Sequence, residues 1–165
     1  MKLGVIADTH LTKPSPYLEE CIQKHFNDVE MILHAGDVVE TGVMDMFLER
    51  GVKLVAGNMD SWEIQQTAPV KQVIHVEGFA IGLIHGWGSP QGIEDRLIKE
   101  FDQIDILVYG HTHNASSFTR GGVLFFNPGS PTDKRFAREN TLGILEMSKH
   151  YSSKIITLEP RKRVL

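Results

Sequence analysis

Residues 3–10 read Leu-Gly-Val-Ile-Ala-Asp-Thr-His, an apolar run that stops abruptly at Asp8 and His10. The apolar part has the length and character of a buried β-strand. A helix-like spacing of apolar residues then begins at Pro16, and proline is common in the first turn of a helix. We therefore predict that the chain opens with a strand and a helix, with polar side chains where the strand ends.

The same order of elements continues in the next segment. Residues 31–33 form a second short apolar run, and residues 53–56 form a third. Between them, Thr41 is placed to cap a helix that runs to Leu48 and stops before Gly51. An order of β-α-β-α-β favours a parallel sheet, because helical crossovers join parallel strands.

The second half of the chain is predicted to be richer in strands. Apolar runs at residues 72–77 and 79–85 meet at Gly78 and indicate a hairpin, which makes the topology mixed. A helix is predicted from Pro90, and further strands over residues 104–109, 115–119, 123–126, 141–147 and 154–158. The predicted fold is a layered α/β sandwich, with a mixed β-sheet core of sheet on sheet flanked by helices.

Composition favours one domain over residues 1–165, since 41% hydrophobic and 23% charged residues are ordinary globular values. The net charge of −4 supplies no positive field for long nucleic acid, and we expect the basic run 161–163 to be a solvated tail. The first apolar run is too short for a signal peptide, and no stretch is long enough to span a membrane. We expect a cytoplasmic protein without a membrane partner, and leave a homo-oligomer open.

Polar side chains follow five of the predicted strands. Loops beyond the carboxyl ends of strands converge in open α/β sheets, so side chains far apart in sequence meet there. The set holds carboxylates, one amide and imidazoles, without a thiolate: Asp8, His10, Asp37, Asn58, His85, His111 and His113. Such donors suit transition metals. Because seven ligands are too many for one ion, two ions fit the set better.

Spacing predicts two details of this site. Asp8 and His10 are two residues apart, as are His111 and His113. In an extended segment, such residues point to the same side, so we expect each pair to serve one cluster. Asp37 is the candidate bridging ligand, because a carboxylate between two cations can bind each with one oxygen.

These motifs resemble those of the calcineurin-like metallophosphoesterases, and the chain is similar to the small stand-alone prokaryotic phosphodiesterases of that superfamily. The similarity runs from Asp8 to about Ser130. One such motif occurs often by chance, but five in the family's order, each at a strand end, form a specific signal. The five motifs are Asp8-x-His10, Gly36-Asp37, Gly57-Asn58, His85-Gly86 and Gly110-His111-x-His113.

The resemblance implies a ligand set for each of two divalent transition-metal ions. One would be held by Asp8, His10, Asp37 and His113, and the other by Asp37, Asn58, His85 and His111. Manganese is favoured, with nickel, zinc, iron and cobalt as alternatives. Catalysis would run through the metal centre, chiefly at Asp37, Asn58 and His85. The expected nucleophile is a metal-bridging hydroxide rather than a protein group.

The chain departs from many larger enzymes of the superfamily at Met59. Those enzymes have Gly-Asn-His followed by an acid, and methionine cannot donate a proton at neutral pH. We therefore expect a small phosphodiester as substrate, with a phosphomonoester as runner-up. A third hypothesis is an inactive metal-binding scaffold, as in the retromer subunit that resembles this family. Retention of all seven ligand positions argues against the scaffold.

Several residues near the motifs have weaker signals. Asp60 either orients a ligating histidine or is a solvated loop residue. Residues 127–130 are interpreted as a turn that ends a strand rather than as a loop that binds phosphate. His34 is a candidate accessory group because it precedes Asp37. Trp62 and Trp87 flank the predicted crevice in sequence and are interpreted as packing residues first.

Overall fold

The computed structural model describes residues 1–160, so the basic run at residues 161–163 lies outside the described residues. Strands and helices alternate along this part of the chain. The strands are β1 Lys2–Ile6, β2 Met31–His34, β3 Val52–Leu54, β4 Lys71–Val76, β5 Phe79–Ile84, β6 Ile106–Val108, β7 Ser116–Arg120, β8 Val123–Asn127, β9 Thr141–Met147 and β10 Tyr151–Thr157. The helices are α1 Pro16–His25, α2 Thr41–Leu48, α3 Trp62–Thr67 and α4 Ile93–Leu97, and a 3₁₀ turn, Ile98–Glu100, follows α4.

The strands form two mixed sheets of five strands each. The first has the order β10-β9-β1-β2-β3, in which β1, β2 and β3 are parallel and β9 and β10 are antiparallel. The second has the order β4-β5-β6-β8-β7, in which β5, β6 and β8 are parallel. Its outer strands, β4 and β7, pair antiparallel with their neighbours.

The two sheets pack face to face, and helices cover their outer faces. Between the sheets, Val5 and Leu33 of the first share a buried cluster with Val108 and Phe126 of the second. A separate cluster joins the other face of the first sheet to α1, α2 and α3, and another joins the second sheet to α4. The predicted layered α/β sandwich is confirmed, and its β core consists of two mixed sheets.

Most predicted elements are present with small shifts at their ends. The helix that begins at Pro16 is confirmed, and Ser15 caps it by accepting a hydrogen bond from the Leu18 N–H. The hairpin turn is also confirmed at Gly78, which has a φ of 86° and follows Glu77, with a φ of 51°. A turn with two positive φ angles matches the twist of paired strands.

Two predictions about helices were wrong, and one helix was not predicted. Thr41 is the first residue of α2 and Glu40 occupies the capping position, without a side-chain capping bond. The helix expected from Pro90 begins at Ile93, after the left-handed Gly92. Helix α3 was not predicted, because its six residues bury only Ile64 and give no apolar periodicity.

None of the helices in the described part of the chain has the length and apolar character that crossing a bilayer requires. The cytoplasmic location and the homo-oligomer remain predictions.

The contact between the sheets predicts a strong effect at Gly143. A Cβ placed there would lie 2.6 Å from Phe126 Cε1 and 3.1 Å from Val5 Cβ. Overpacking of this kind costs about 1–3 kcal/mol, so Gly143→Ala should lower the free energy of unfolding by that amount in urea titrations.

Gly42→Ala is the matched control, since Gly42 lies in α2 with open space around it. It should raise stability by about 0.5–1 kcal/mol, because alanine forms helix better than glycine. Equal stabilities of the two variants would contradict the described contact between Gly143 and Phe126.

Candidate metal centre

The structure brings all seven predicted ligands to one edge of the sandwich, where loops from both sheets meet. Asp8 and His10 follow β1, Asp37 follows β2, and Asn58 lies in the loop after β3. The second sheet contributes His85 directly after β5, and His111 and His113 after β6. That these residues bind metal remains a prediction.

One half of the cluster consists of Asp8, His10 and His113. The Nε2 atoms of the two histidines are 3.0 Å apart. Asp8 Oδ1 lies 3.6 Å from His113 Nε2 and 3.9 Å from His10 Nε2. One ligand atom of each residue therefore lies within 4.8 Å of the others, a grouping that could hold an ion.

The other half consists of Asn58, His85 and His111. Asn58 Oδ1 is 3.2 Å from His85 Nε2 and 3.1 Å from His111 Nδ1. One amide oxygen thus faces two imidazole nitrogens, each of which must be unprotonated to bind a metal.

Asp37 lies between the two halves. Its Oδ2 is 3.4 Å from His10 Nε2 and 3.3 Å from His85 Nε2. Its Oδ1 accepts a hydrogen bond of 2.7 Å from the Met59 N–H. The expected arrangement of one oxygen for each ion therefore differs from the structure, in which Oδ2 alone faces both halves.

The backbone of the ligand loops is left-handed, not extended as the sequence had suggested. Seven non-glycine residues among the described ones have positive φ, and five of them are predicted ligands: Asp8, His10, Asp37, His111 and His113. Each such residue costs on the order of 1–3 kcal/mol and persists only where its surroundings enforce it. The prediction of extended alternation was wrong because each turn bends the chain back into the cluster.

Two motif glycines allow the ligand loops to approach one another. A Cβ on Gly57 would overlap the carboxylate of Asp37. A Cβ on Gly36 would lie 2.8 Å from His85 Nδ1, and Gly36 has a φ of 88°. Glycine is required at both positions because the loops touch there.

The donor set fits divalent metal ions. Asp8 and His85 are almost fully buried, and Asp8 Oδ2 has no hydrogen-bond partner among the described residues. Buried carboxylates without a partner are costly, and a cation would offset that cost. Imidazole, carboxylate and amide donors suit transition metals such as manganese, iron, nickel and zinc.

Backbone carbonyls orient two of the candidate histidines. His85 Nδ1 lies 2.7 Å from the Ala35 carbonyl oxygen, which leaves Nε2 for a metal. His111 Nε2 lies 2.9 Å from the Gly88 carbonyl oxygen, which leaves Nδ1. A hydrogen bond at the remote nitrogen fixes the tautomer of a metal-binding histidine.

His113 has a carboxylate in the corresponding place. Its Nδ1 is buried without a hydrogen bond among the described residues, and Asp133 Oδ2 is 3.7 Å away. The same carboxylate accepts a hydrogen bond of 2.8 Å from Arg135 Nε. Asp133 thus places a carboxylate near His113 without a hydrogen bond to it, and nothing near Asp133 in sequence marks this position.

Asp60 has a role that neither sequence interpretation anticipated. Its buried carboxylate accepts backbone hydrogen bonds from Asp37 at 3.1 Å, Val39 at 2.7 Å and Gly57 at 2.6 Å. It orients no histidine. It joins the loop of Asp37 to the loop of Asn58 and so sets the spacing of two predicted ligands.

The loop after β8 also holds the ligand loops. The Asn127 side chain donates to the Gly110 carbonyl at 3.0 Å, and Ser130 Oγ donates to the Asp8 carbonyl at 2.7 Å. Buried His34 lies 2.7 Å from Thr9 Oγ1 and accepts a hydrogen bond from the Gly36 N–H. Asn127 and Ser130 thus hold the backbones of two ligand loops. Residues 127–130 therefore do more than form the turn that was expected there.

Burial and neighbouring charges shift the pKa values of the cluster. Burial raises the pKa of Asp8 to about 7. Burial alone would lower the pKa of His85, but its hydrogen bond to Asp37 and the charges of Asp8 and Asp37 raise it to about 8. Burial lowers the pKa of His10, and lowers that of His113 to about 4.

The chain is similar to known proteins in sequence and in fold. The sequence model of the calcineurin-like phosphoesterase superfamily domain matches residues 1–150. A probable metallophosphoesterase of Methanothermobacter thermautotrophicus is 36% identical over 138 residues, which cover 82% of this chain and 80% of the relative. The structure of an archaeal phosphodiesterase superposes with a TM-score of 0.73 and 25% identity, covering 94% of this chain and all of that one.

A third relative has a different kind of name. Vacuolar protein sorting-associated protein 29 of Schizosaccharomyces pombe is 31% identical over 141 residues, covering 80% of this chain and 73% of the relative. Proteins that resemble this chain are therefore named both for hydrolysis of phosphoesters and for sorting.

The pKa shifts predict that metal affinity depends steeply on pH. Asp8 holds a proton below about pH 7 and His85 holds one below about pH 8, and both must lose it to bind a metal. Affinity should therefore fall as pH drops from 8 to 6, approaching a hundredfold loss per pH unit where two protons are displaced. Calorimetric titration of the chelator-stripped protein, in buffers of different ionisation enthalpy, counts those protons.

Asp8→Asn is the control for that experiment, because it removes one of the two titrating groups. Its affinity should be weaker, and the loss should shrink to about tenfold per pH unit. An affinity that stays constant between pH 6 and 8 in the unaltered protein would rule out this linkage.

Proposed function

Because this chain belongs to the calcineurin-like phosphoesterase superfamily, we propose that residues 1–165 form a single-domain, metal-dependent phosphodiesterase with two metal ions. The observation that carries the proposal is the position of Asp37 Oδ2, within 3.4 Å of a histidine nitrogen in each half of the cluster. A single carboxylate oxygen that faces both halves could bind a cation in each of them.

The proposed ligand sets follow the two halves. Asp8, His10, Asp37 and His113 would hold one ion, and Asp37, Asn58, His85 and His111 the other. Manganese is the favoured metal, because its preference for oxygen ligands suits the two aspartates and the asparagine. When bound, the ions would polarise the phosphoryl group and make a hydroxide nucleophile available at neutral pH.

The protein's own part in this chemistry is to position groups. Asp37, Asn58 and His85 would meet the phosphoryl group through the metal centre, and exposed Met59 follows Asn58 in sequence. No protein nucleophile is proposed, since the hydroxyl groups beside Asp8 are engaged. Thr9 Oγ1 is hydrogen-bonded to His34, and Ser130 Oγ donates to the backbone of Asp8.

Two features support a diester as substrate over a monoester. Met59, next to the ligand Asn58, offers no proton to a leaving oxygen. A resolved relative of similar length and fold is a phosphodiesterase. The phosphomonoesterase is the runner-up. The inactive scaffold is the alternative that the sorting relative raises.

The proposed function is tested by hydrolysis of matched aryl esters. The chelator-stripped protein is assayed with a bis-aryl phosphodiester and the corresponding monoester, with manganese, nickel, zinc, magnesium or no metal added. We expect metal-dependent cleavage that prefers the diester. Asp37→Asn should reduce it by about a hundredfold or more, because the charge between the two halves is lost.

Asp45→Asn is the matched control. Asp45 is exposed on α2, so this substitution removes the same charge outside the site. It should leave turnover unchanged. If the folded protein binds metal but no metal restores turnover of either ester, the inactive scaffold replaces the phosphodiesterase as the proposed function. Preference for the monoester would replace the diesterase with the runner-up.

Met59 predicts how the rate depends on the leaving group. Its side chain is exposed beside Asn58, so Met59→His would place a proton donor near the leaving oxygen without disturbing the core. The rate should rise about tenfold to a hundredfold for esters of poorly acidic alcohols and stay nearly constant for nitrophenyl esters. A plot of log kcat/KM against leaving-group pKa measures this as a shallower slope.

Met59→Gln has a similar shape and no acidic proton, so its slope should equal that of the unaltered protein. If the histidine and glutamine variants have the same slope, position 59 does not lie near the leaving group.

A further inference from the structure

An apolar groove lies directly beside one half of the candidate metal centre. It has a volume of about 470 Å³, and Asn58 and His85 form part of its wall. This volume lies within the range of about 300–1,000 Å³ that is usual for small-molecule sites. A substrate whose phosphoryl group lay at Asn58 and His85 would therefore have room for one of its substituents in this groove.

The wall of the groove away from the ligands is apolar. Val70, Ile84 and Trp87 provide aliphatic and aromatic surface, and Gln65 provides an amide. Apart from His85, no ionisable side chain lines the groove among the described residues. Burial of a charged substituent here would be costly, whereas an uncharged ring would be favoured.

Two large hydrophobic side chains on the groove wall are exposed. Val70 is 70% exposed and Trp87 is 44% exposed. Single exposed hydrophobic residues are ordinary, but two on the wall of one groove, beside a polar site, indicate a ligand-binding surface.

Trp87 is held in place by its own loop. The Arg96 guanidinium donates hydrogen bonds to the carbonyls of Trp87 at 3.0 Å and Gln91 at 3.0 Å, and to that of Ser89. Trp87 stands between Gly86, with a φ of 108°, and Gly88, with a φ of 76°. Because the backbone of this loop is already held, ligand binding at Trp87 would not have to order the loop.

The same loop is connected to the metal centre. The Gly88 carbonyl accepts the hydrogen bond that orients His111. Trp87 is therefore one residue from the group that orients a predicted ligand. The backbone that carries the indole and the ring of His111 are therefore held by the same loop, which favours recognition of two parts of one molecule.

We propose that this groove is a subsite for a planar, uncharged aromatic substituent of the phosphoester, stacked against Trp87. The proposal rests on the proposed function for the position of the phosphoryl group. It adds the substrate class: esters in which one substituent bears an aryl ring or a nucleobase. Aromatic stacking is favoured over simple apolar contact because the exposed indole offers a flat face.

The test uses phosphinates, in which both substituents are joined to phosphorus through carbon, so that binding is measured without turnover. Dimethyl-, cyclohexylmethyl(methyl)-, benzyl(methyl)- and adeninylethyl(methyl)phosphinate are titrated calorimetrically into the manganese-loaded protein. We expect an aromatic phosphinate to bind about tenfold more tightly than the dimethyl compound. It should also bind more tightly than the cyclohexyl compound. The benzyl and adenine compounds separate a simple aryl ring from a nucleobase.

Trp87→Ala should remove most of this gain and leave dimethylphosphinate binding unchanged. Trp62→Ala is the matched control, because Trp62 is also exposed but does not line the groove. It should leave every affinity unchanged. Equal affinities of the aromatic and dimethyl compounds, equal affinities of the aromatic and cyclohexyl compounds, or equal effects of the two tryptophan variants would overturn the proposal.

Failure of the proposed function has a different outcome. If the protein is a scaffold without turnover, it would hydrolyse no ester. It would still bind the aromatic phosphinates more tightly than the dimethyl compound, and this difference would depend on Trp87. An active enzyme without the subsite would hydrolyse the diester and show no such ranking.

Discussion

Two carboxylates, those of Asp8 and Asp37, are buried at the same edge of the sandwich, and the site is arranged around their repulsion. Of the carboxylate oxygens that do not face the histidines, Asp37 Oδ1 accepts from the Met59 N–H, and Asp8 Oδ2 has no hydrogen-bond partner among the described residues. Asp8 Oδ1, which faces the histidines, also accepts from the His111 N–H. Burial and the charge of Asp37 both raise the pKa of Asp8. Cations between the two halves would remove this repulsion, and the surrounding imidazoles, once unprotonated, would complete the ligand sets.

Holding those carboxylates together constrains the backbone of the whole edge. Five predicted ligands have left-handed backbone conformations, a cost on the order of 1–3 kcal/mol each. The cost is offset by bonds that join loop to loop, such as those of Asp60 to the backbone of Asp37 and Gly57. The sheets contribute too, because parallel strands of both deliver their carboxyl ends to one edge. Fold stability and site geometry are therefore linked through the same loops.

The sequence predicted the parts of this design that depend on local pattern. Strand β9 was predicted with its observed bounds, and α1 from Pro16, because long apolar patterns reflect burial directly. Helix α3 was missed because it buries a single side chain. Extended alternation at Asp8 and His10 failed because the cluster, not local preference, sets the backbone there. The role of Asp60 depends on contacts between distant loops, which spacing along the chain does not encode.

The metal centre and the apolar groove share one backbone segment, and this limits how independently they can vary. The hydrogen bond of His111 to Gly88 orients a predicted ligand, and the hydrogen bonds of Arg96 fix the residues on either side of Gly88. A change that moved Trp87 would also move the acceptor of His111. Groove shape and ligand geometry are thus coupled over the few residues between Gly86 and Gln91. Exposed Met59 lies outside that segment, so a substitution there need not disturb the loop that positions His111.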